Sequence, residues 1–193
     1  MLYLVRHGET VLPKGICIGQ TDTPLAKQGI KNITEKTLPN LAALQLESPR
    51  LISSPLSRTM QTAQILSNGL NIPVEQEAAL KEINMGKWDG LAFSYIKKHY
   101  AAEYEQRGTD FAYFRTPCGE SFFDLQQRVL EFIIPLCHTK GSAILVTHAG
   151  VIRTLLCAAK QTPLQELFIY KVTTGSITTI PKATFAEKGL YLA

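Results

Sequence analysis

The sequence predicts an α/β protein, a three-layer α/β/α sandwich around a mostly parallel sheet, and three observations predict it. Two mostly apolar runs, Leu2 to Arg6 and Ser142 to Thr147, read as buried strands near opposite ends of the chain. Between them strand-like and helix-like segments alternate, the pattern that lays helices over both faces of a parallel sheet. Each run also gives way to a histidine close to a glycine, in Arg6-His7-Gly8 and in Thr147-His148-Ala149-Gly150. Such strand ends are where an open α/β sheet places its ligand site.

Taken in order, Leu2 to Arg6 is a buried strand, and Leu25 to about Leu46 is a helix interrupted near Pro39. Arg50 to Ser53 is a short strand. A helix from Pro55 to Leu70 follows, with Ser54 as its cap and Pro55 at its first position. Pro73 to Glu75 is extended, and Ala79 to Gly90 shows no period and reads as a loop. Leu91 to Arg107 is helical but rich in tyrosine and charge, which suits a partly exposed segment able to cover a site. Glu120 to His138 is an amphipathic helix. After the strand ending at Thr147 come helices from about Val151 to Ala159 and across Pro163 to Tyr170. Ser176 to Ile180 and Thr184 to Leu192 read as closing strands at a sheet edge.

With 193 residues, 45% of them hydrophobic, the chain is long enough for one well-buried core and does not demand two domains. No repeat, low-complexity tract or linker divides it, so residues 1–193 are read as one domain with a small lid from about 91 to 116. The 20 basic and 16 acidic residues are scattered, which argues against nucleic acid or a membrane surface as partner. No stretch has the pattern of a signal peptide or a membrane span. Cys17, Cys118, Cys137 and Cys157 have neither metal-ligand nor scaffold spacing. A cytoplasmic setting with reduced thiols is expected.

Arg6 and His7 follow directly on the first strand, so both side chains belong at its carboxyl edge. Neutral imidazole is a nucleophile toward phosphorus, and an adjacent guanidinium keeps it neutral by disfavouring a second positive charge. The guanidinium also offers a planar fork of donors to phosphoryl oxygens. Arg58, in the first turn of the helix after Arg50 to Ser53, reaches the same edge, where helix N-termini already favour anions. His148 ends the other apolar strand and shares that edge. Each of these residues alone would be read as surface or structural; four at one sheet edge define a phosphate site. His99 and His138 sit in polar helical contexts and carry no role.

The residues around these four resemble the histidine phosphatase superfamily, also called phosphoglycerate mutase-like. The resemblance rests on Arg6-His7-Gly8-Glu9, Gly19-Gln20-Thr21-Asp22, Ser53-Ser54-Pro55-Leu56-Ser57-Arg58, Leu80-Lys81-Glu82, Gly86-Lys87-Trp88-Asp89-Gly90, Pro117-Cys118-Gly119-Glu120-Ser121 and Thr147-His148-Ala149-Gly150, which follow the family's order across nearly the whole chain. It implies that His7 becomes phosphohistidine, that Arg6, Arg58 and His148 hold the phosphoryl oxygens, and that Glu82 is the general acid and then base. A carboxyl beside a bound phosphate dianion holds its proton to higher pH, which suits that role. Gly19, through its backbone amide, and Ala149 are further expected substrate contacts, and Glu9 is left structural. The implied mechanism requires no metal and no cofactor, because the cationic side chains supply the charge that magnesium supplies in kinases.

Within that family, mutases carry an asparagine where this chain has Val11 to Lys14, a tyrosine in place of Met85, and a longer insertion that excludes water. The expectation is therefore hydrolysis of a small phosphomonoester, with α-ribazole 5′-phosphate as the named candidate. Phosphoglycerate mutase and sugar-phosphate or phosphohistidine phosphatase activity are alternatives. A non-catalytic phospho-ligand module is the alternative of another class. Trp88, Phe93, Tyr95 and Phe111 could stack on a ligand ring or belong to the core. A homodimer is compatible with the sequence.

Overall fold

The computed structural model describes residues 1–186. Strands β1 (Leu2–Arg6), β2 (Arg50–Ser53), β3 (Val74–Gln76), β4 (Ala143–Thr147) and β5 (Ile177–Ile180) form one sheet in the order β3-β2-β4-β1-β5. The first four are parallel and β5 is antiparallel to β1. The helices are α1 (Lys27–Asn32), α2 (Leu38–Ala42), α3 (Ser57–Leu70), α4 (Phe93–His99), α5 (Ala101–Thr109), α6 (Phe122–Cys137), α7 (Ala149–Lys160) and α8 (Ala183–Ala186).

Side chains alternate across a strand, and here the alternation feeds two cores. Ala143 and Leu145 of β4, with Leu2 and Leu4 of β1, face a core built from α6, α7 and Phe185 of α8. Ile144 and Val146, with Val5 and Leu51, face a second core containing Ile33, Leu41, Ala63 and Leu66. Both faces of β4 are thus covered, which is why its sequence is continuously apolar. Each such buried aliphatic side chain stabilises the fold by about 1.5–3 kcal/mol.

Several elements differ from the sequence expectation for identifiable reasons. The interruption expected at Pro39 does not end the helical run. Proline lacks an N–H and crowds the carbonyl four residues back, and the chain absorbs this as a π-helical segment, Ile33–Thr37, that carries α1 into α2. Helix α3 begins at Ser57 rather than Pro55, and Ser54 does not cap it. Asp22 does: its carboxylate accepts the Ser57 amide (2.7 Å) and the Ser57 hydroxyl (2.6 Å). The Pro163 to Tyr170 segment is a 3-10 helix over Leu164–Ile169. At the closing end, residues 183–186 are helical, not extended, which lets Phe185 bury completely; the remainder of that expected strand lies outside the described residues.

The segment after the Gly86–Trp88 turn forms two short helices, broken at Tyr100. They are anchored on Trp88, which has no exposed surface and packs against Tyr100, Tyr104 and Phe114. Of the four aromatic side chains considered for stacking, Trp88 is therefore core, Phe111 stacks on Phe122, and Tyr95 stacks on His99. Phe93 is partly exposed at the start of α4. No helix among the described residues is long and apolar enough to cross a membrane.

Asp22→Ala should destabilise the protein by about 1 kcal/mol at pH 7, the usual cost of losing an N-terminal cap, measured by urea unfolding. The two bonds from Ser57 hold the Asp22 carboxyl below its ordinary value. The cap is therefore fully present above the unfolded carboxylate value of about 3.9 and is lost as pH falls through the lower folded one. The gap between wild type and variant should shrink below pH ~4.

Candidate active site

Sheet register assembles the site. Arg6 pairs with Thr147, and Ser53 with Val146. His7, His148 and Ser54 consequently stand one step past the ends of three adjacent strands, tied there by bonds from the His7 amide to the Thr147 carbonyl (3.0 Å) and from the Ser54 amide to the Val146 carbonyl (3.0 Å). The two imidazoles lie 5.2 Å apart, centre to centre.

His7 is buried, and its Nδ1 is 2.7 Å from the Gly8 carbonyl oxygen. A carbonyl only accepts, so Nδ1 carries the hydrogen and Nε2 the lone pair. The turn that allows this is pinned by the Gly8 amide, which donates to the Thr62 hydroxyl at 3.1 Å. Burial first, and then the charge of Arg58, push the His7 pKa down to about 3. The ring is neutral throughout the physiological range.

Arg58 is only 1% exposed. Its Nη2 donates to the Gly19 carbonyl (2.6 Å), its Nη1 to the Thr21 carbonyl (2.9 Å) and its Nε to His148 Nδ1 (3.3 Å). Two of its five N–H groups remain for a ligand. Because His148 accepts at Nδ1, its hydrogen sits on Nε2 and is donated to the Ser54 hydroxyl at 2.9 Å. Burial and the Arg58 charge push the His148 pKa well below its ordinary value.

Arg6 gives one Nη1 hydrogen to the Val172 carbonyl at 2.7 Å, while its buried Nε has no partner among the described residues. An unpaired donor of that kind is costly unless an anion meets it. Glu82 is nearly buried, and its two oxygens accept the Ile83 amide (2.9 Å) and the Gly150 amide at the start of α7 (3.0 Å). The loop that carries it is held by Thr147, whose hydroxyl donates to the Leu80 carbonyl, and by Arg128, which donates to the Ala79 carbonyl. Arg6, His7, Arg58 and Glu82 all line one cleft of about 440 Å³. Its outer wall is aliphatic, with Leu12, Pro13, Ile16 and Ile18, and Lys14 and Thr174 also border it.

The sequence-derived set therefore converges, with three adjustments. His148 lies behind the cleft wall with both ring nitrogens engaged, so as a donor to a ligand it would exchange Ser54 for it. Gly19 does not offer its amide to the cleft, because that amide is bound to Asp89 at 2.9 Å; Ile18 lines the wall instead. Ala149 is buried as the first residue of α7, behind His148. Sequence reasoning misses the roles of Asp89, Asp22 and Thr62. Asp89 and Asp22 lie inside the quoted motifs, but nothing in the string says which backbone amides they accept.

The fold and this edge define a class, α/β sandwiches that present a neutral histidine and buried arginines at the carboxyl ends of a parallel sheet. Residues 2–189 match the histidine phosphatase superfamily (branch 1), and the chain belongs to that superfamily. It is 31% identical over 166 residues to an Arabidopsis thaliana 6-phosphofructo-2-kinase/fructose-2,6-bisphosphatase, covering 86% of this chain and 22% of that protein. The chain spans between 22% and 34% of the length of such curated relatives. Among solved structures it resembles the α-ribazole phosphatase of Shigella flexneri, with TM-score 0.80, 27% identity, and coverage of 91% of this chain and 87% of that one. It also resembles a mycobacterial glucosyl-3-phosphoglycerate phosphatase, with TM-score 0.80, 25% identity, and coverage of 91% and 90%.

Two outcomes test the geometry. The imidazole of His7, followed by NMR, should not titrate between pH 5 and 8; a midpoint near the ordinary value of about 6.5 would contradict its burial beside Arg58. A Cβ on Gly150 would lie 2.2 Å from a Glu82 carboxylate oxygen. Because that oxygen ends a flexible side chain, Gly150→Ala should displace Glu82 and lower turnover at least about tenfold while changing thermal stability little.

Proposed function

We propose that the chain is a metal-independent phosphomonoesterase working through a phosphohistidine at His7. The observation that carries the proposal is the neutral, buried His7, unprotonated at Nε2, in a cleft that it lines together with Arg6, Arg58 and Glu82. Nε2 attacks phosphorus, the bond to the substrate oxygen breaks, and Glu82 delivers a proton to that oxygen as it leaves. Water then attacks the phosphohistidine, giving a proton back to Glu82; the N–P bond breaks and inorganic phosphate departs. Arg6 and the two remaining N–H groups of Arg58 stabilise the charge on the transferring phosphoryl, with His148 Nε2 turning from Ser54 toward it. The same fixed cations do the work a metal would do.

For the substrate we propose a small phosphorylated metabolite. α-Ribazole 5′-phosphate is supported by the likeness to the Shigella flexneri enzyme. A sugar phosphate is the second reading, supported by the likeness to the mycobacterial enzyme.

Aryl phosphate should be hydrolysed in excess chelator, and His7→Ala should abolish this; a requirement for added magnesium, or activity surviving in the variant, refutes the mechanism. Glu82→Gln should slow alkyl phosphates more than aryl phosphates, because aryl leaving groups need less protonation. Comparing kcat/KM for α-ribazole phosphate with sugar phosphates and 3-phosphoglycerate decides among substrates.

A further inference from the structure

Residues 19–21 form a strip of backbone held from both sides. On one side the Asp89 carboxylate accepts four hydrogen bonds: Oδ1 from the Gly19 amide (2.9 Å) and the Thr21 hydroxyl (2.7 Å), Oδ2 from the Gln20 amide (2.7 Å) and the Thr21 amide (3.0 Å). On the other side the carbonyls of Gly19 and Thr21 accept the two terminal nitrogens of Arg58. Three successive amides make a concavity suited to an anion, and the protein fills it with its own carboxylate. Asp89 is itself fixed: the Gly90 amide donates to the Cys17 carbonyl and the Cys17 amide to the Leu91 carbonyl, both at 2.8 Å.

We propose that Asp89 is a positioning residue for Arg58: by holding the amides of residues 19–21, it fixes the strip whose Gly19 and Thr21 carbonyls seat the guanidinium and so sets where Arg58 meets the phosphoryl group. The consequence is directional. The Gly19–Gln20 peptide plane presents its amide to Asp89 and its carbonyl to Arg58, so a turn of that plane that loses Asp89 also swings the Gly19 carbonyl away, and the arginine loses part of its seat without losing its charge. Asp89 does not line the cleft; its charge favours the charged form of the Arg58 guanidinium, and its geometric hold on that group runs through the strip.

The inference rests on the reading of Arg58 as a donor to the phosphoryl group, and a double-mutant cycle separates the two. The probe is orthovanadate, as an inhibitor of aryl phosphate hydrolysis, with thermal unfolding measured on every variant. Asp89→Asn is nearly isosteric but places either an NH₂ or a poorer acceptor against the amides. It should weaken orthovanadate inhibition about tenfold, the scale expected when a charged acceptor is lost. In the Arg58→Ala background the same substitution should cause no further weakening. Thr21→Val removes only the hydroxyl contact to Asp89 and should give a smaller loss in the same direction, which keeps the test decisive if Asp89→Asn does not fold. Equal losses in both backgrounds, or no loss while Arg58→Ala is strongly impaired, overturn the positioning role. Unchanged inhibition in Arg58→Ala overturns the reading of Arg58 itself and this inference with it.

Discussion

Burying a guanidinium is expensive unless its donors are met, and the arrangement around Arg58 is the answer to that cost. Among the described residues no carboxylate forms an ion pair with it. Two carbonyls and an imidazole nitrogen take three of its N–H groups, so the charge is solvated by dipoles at contact, while Glu82, Asp22 and Asp89 act on it without pairing. This choice propagates. The unpaired cation helps keep His7 and His148 neutral, at the edge where β1, β2 and β4 end together.

The carboxylates nearby are handled in the complementary way. Asp22, Asp89 and Glu82 each face backbone amides instead of a guanidinium: the first holds the start of α3, the second the strip at 19–21, the third the start of α7. All three carboxylates fix backbone, and Glu82 of the three also lines the cleft beside Arg6 and Arg58. Glu120 and Arg128, which do pair at 2.9 Å, stand outside the cleft wall and brace the loop carrying Glu82.

Much of this is legible in the string. Leu2 to Arg6 and Arg50 to Ser53 are strands with the expected bounds because a short apolar run between polar flanks has few alternatives. That His7 and His148 share one sheet edge follows from each ending a mostly apolar strand; that the two strands are neighbours depends on the fold. Other features depend on partners distant in sequence. Ser54 and Pro55 have the local signature of a helix start, yet Asp22, far away along the chain, captures Ser57 and shifts the start by two residues. Gly19 sits in a loop that looks made for phosphate, and only the fold reveals that Asp89 has taken its amide. Phe185 shows the same effect in the core: a helical turn wins over strand propensity because it buries the ring.

The direction of β5 has a further consequence. Because it runs against its neighbour, the loop preceding it, not the one following, arrives at the carboxyl edge. There the Val172 carbonyl takes Arg6, the Gly175 amide closes on the carbonyls of Arg6 and His7, and Thr174 borders the cleft. The first strand and its stabilising loop are separated by 166 positions. Contacts of such long sequence separation are slow to form, since loop-closure entropy must be met before they reward the chain. Arg6 is thus seated by a segment that follows β1 to β4 in the sequence, so a chain truncated before Val172 would keep the strands that carry His7 and His148 and lose the carbonyl that holds Arg6.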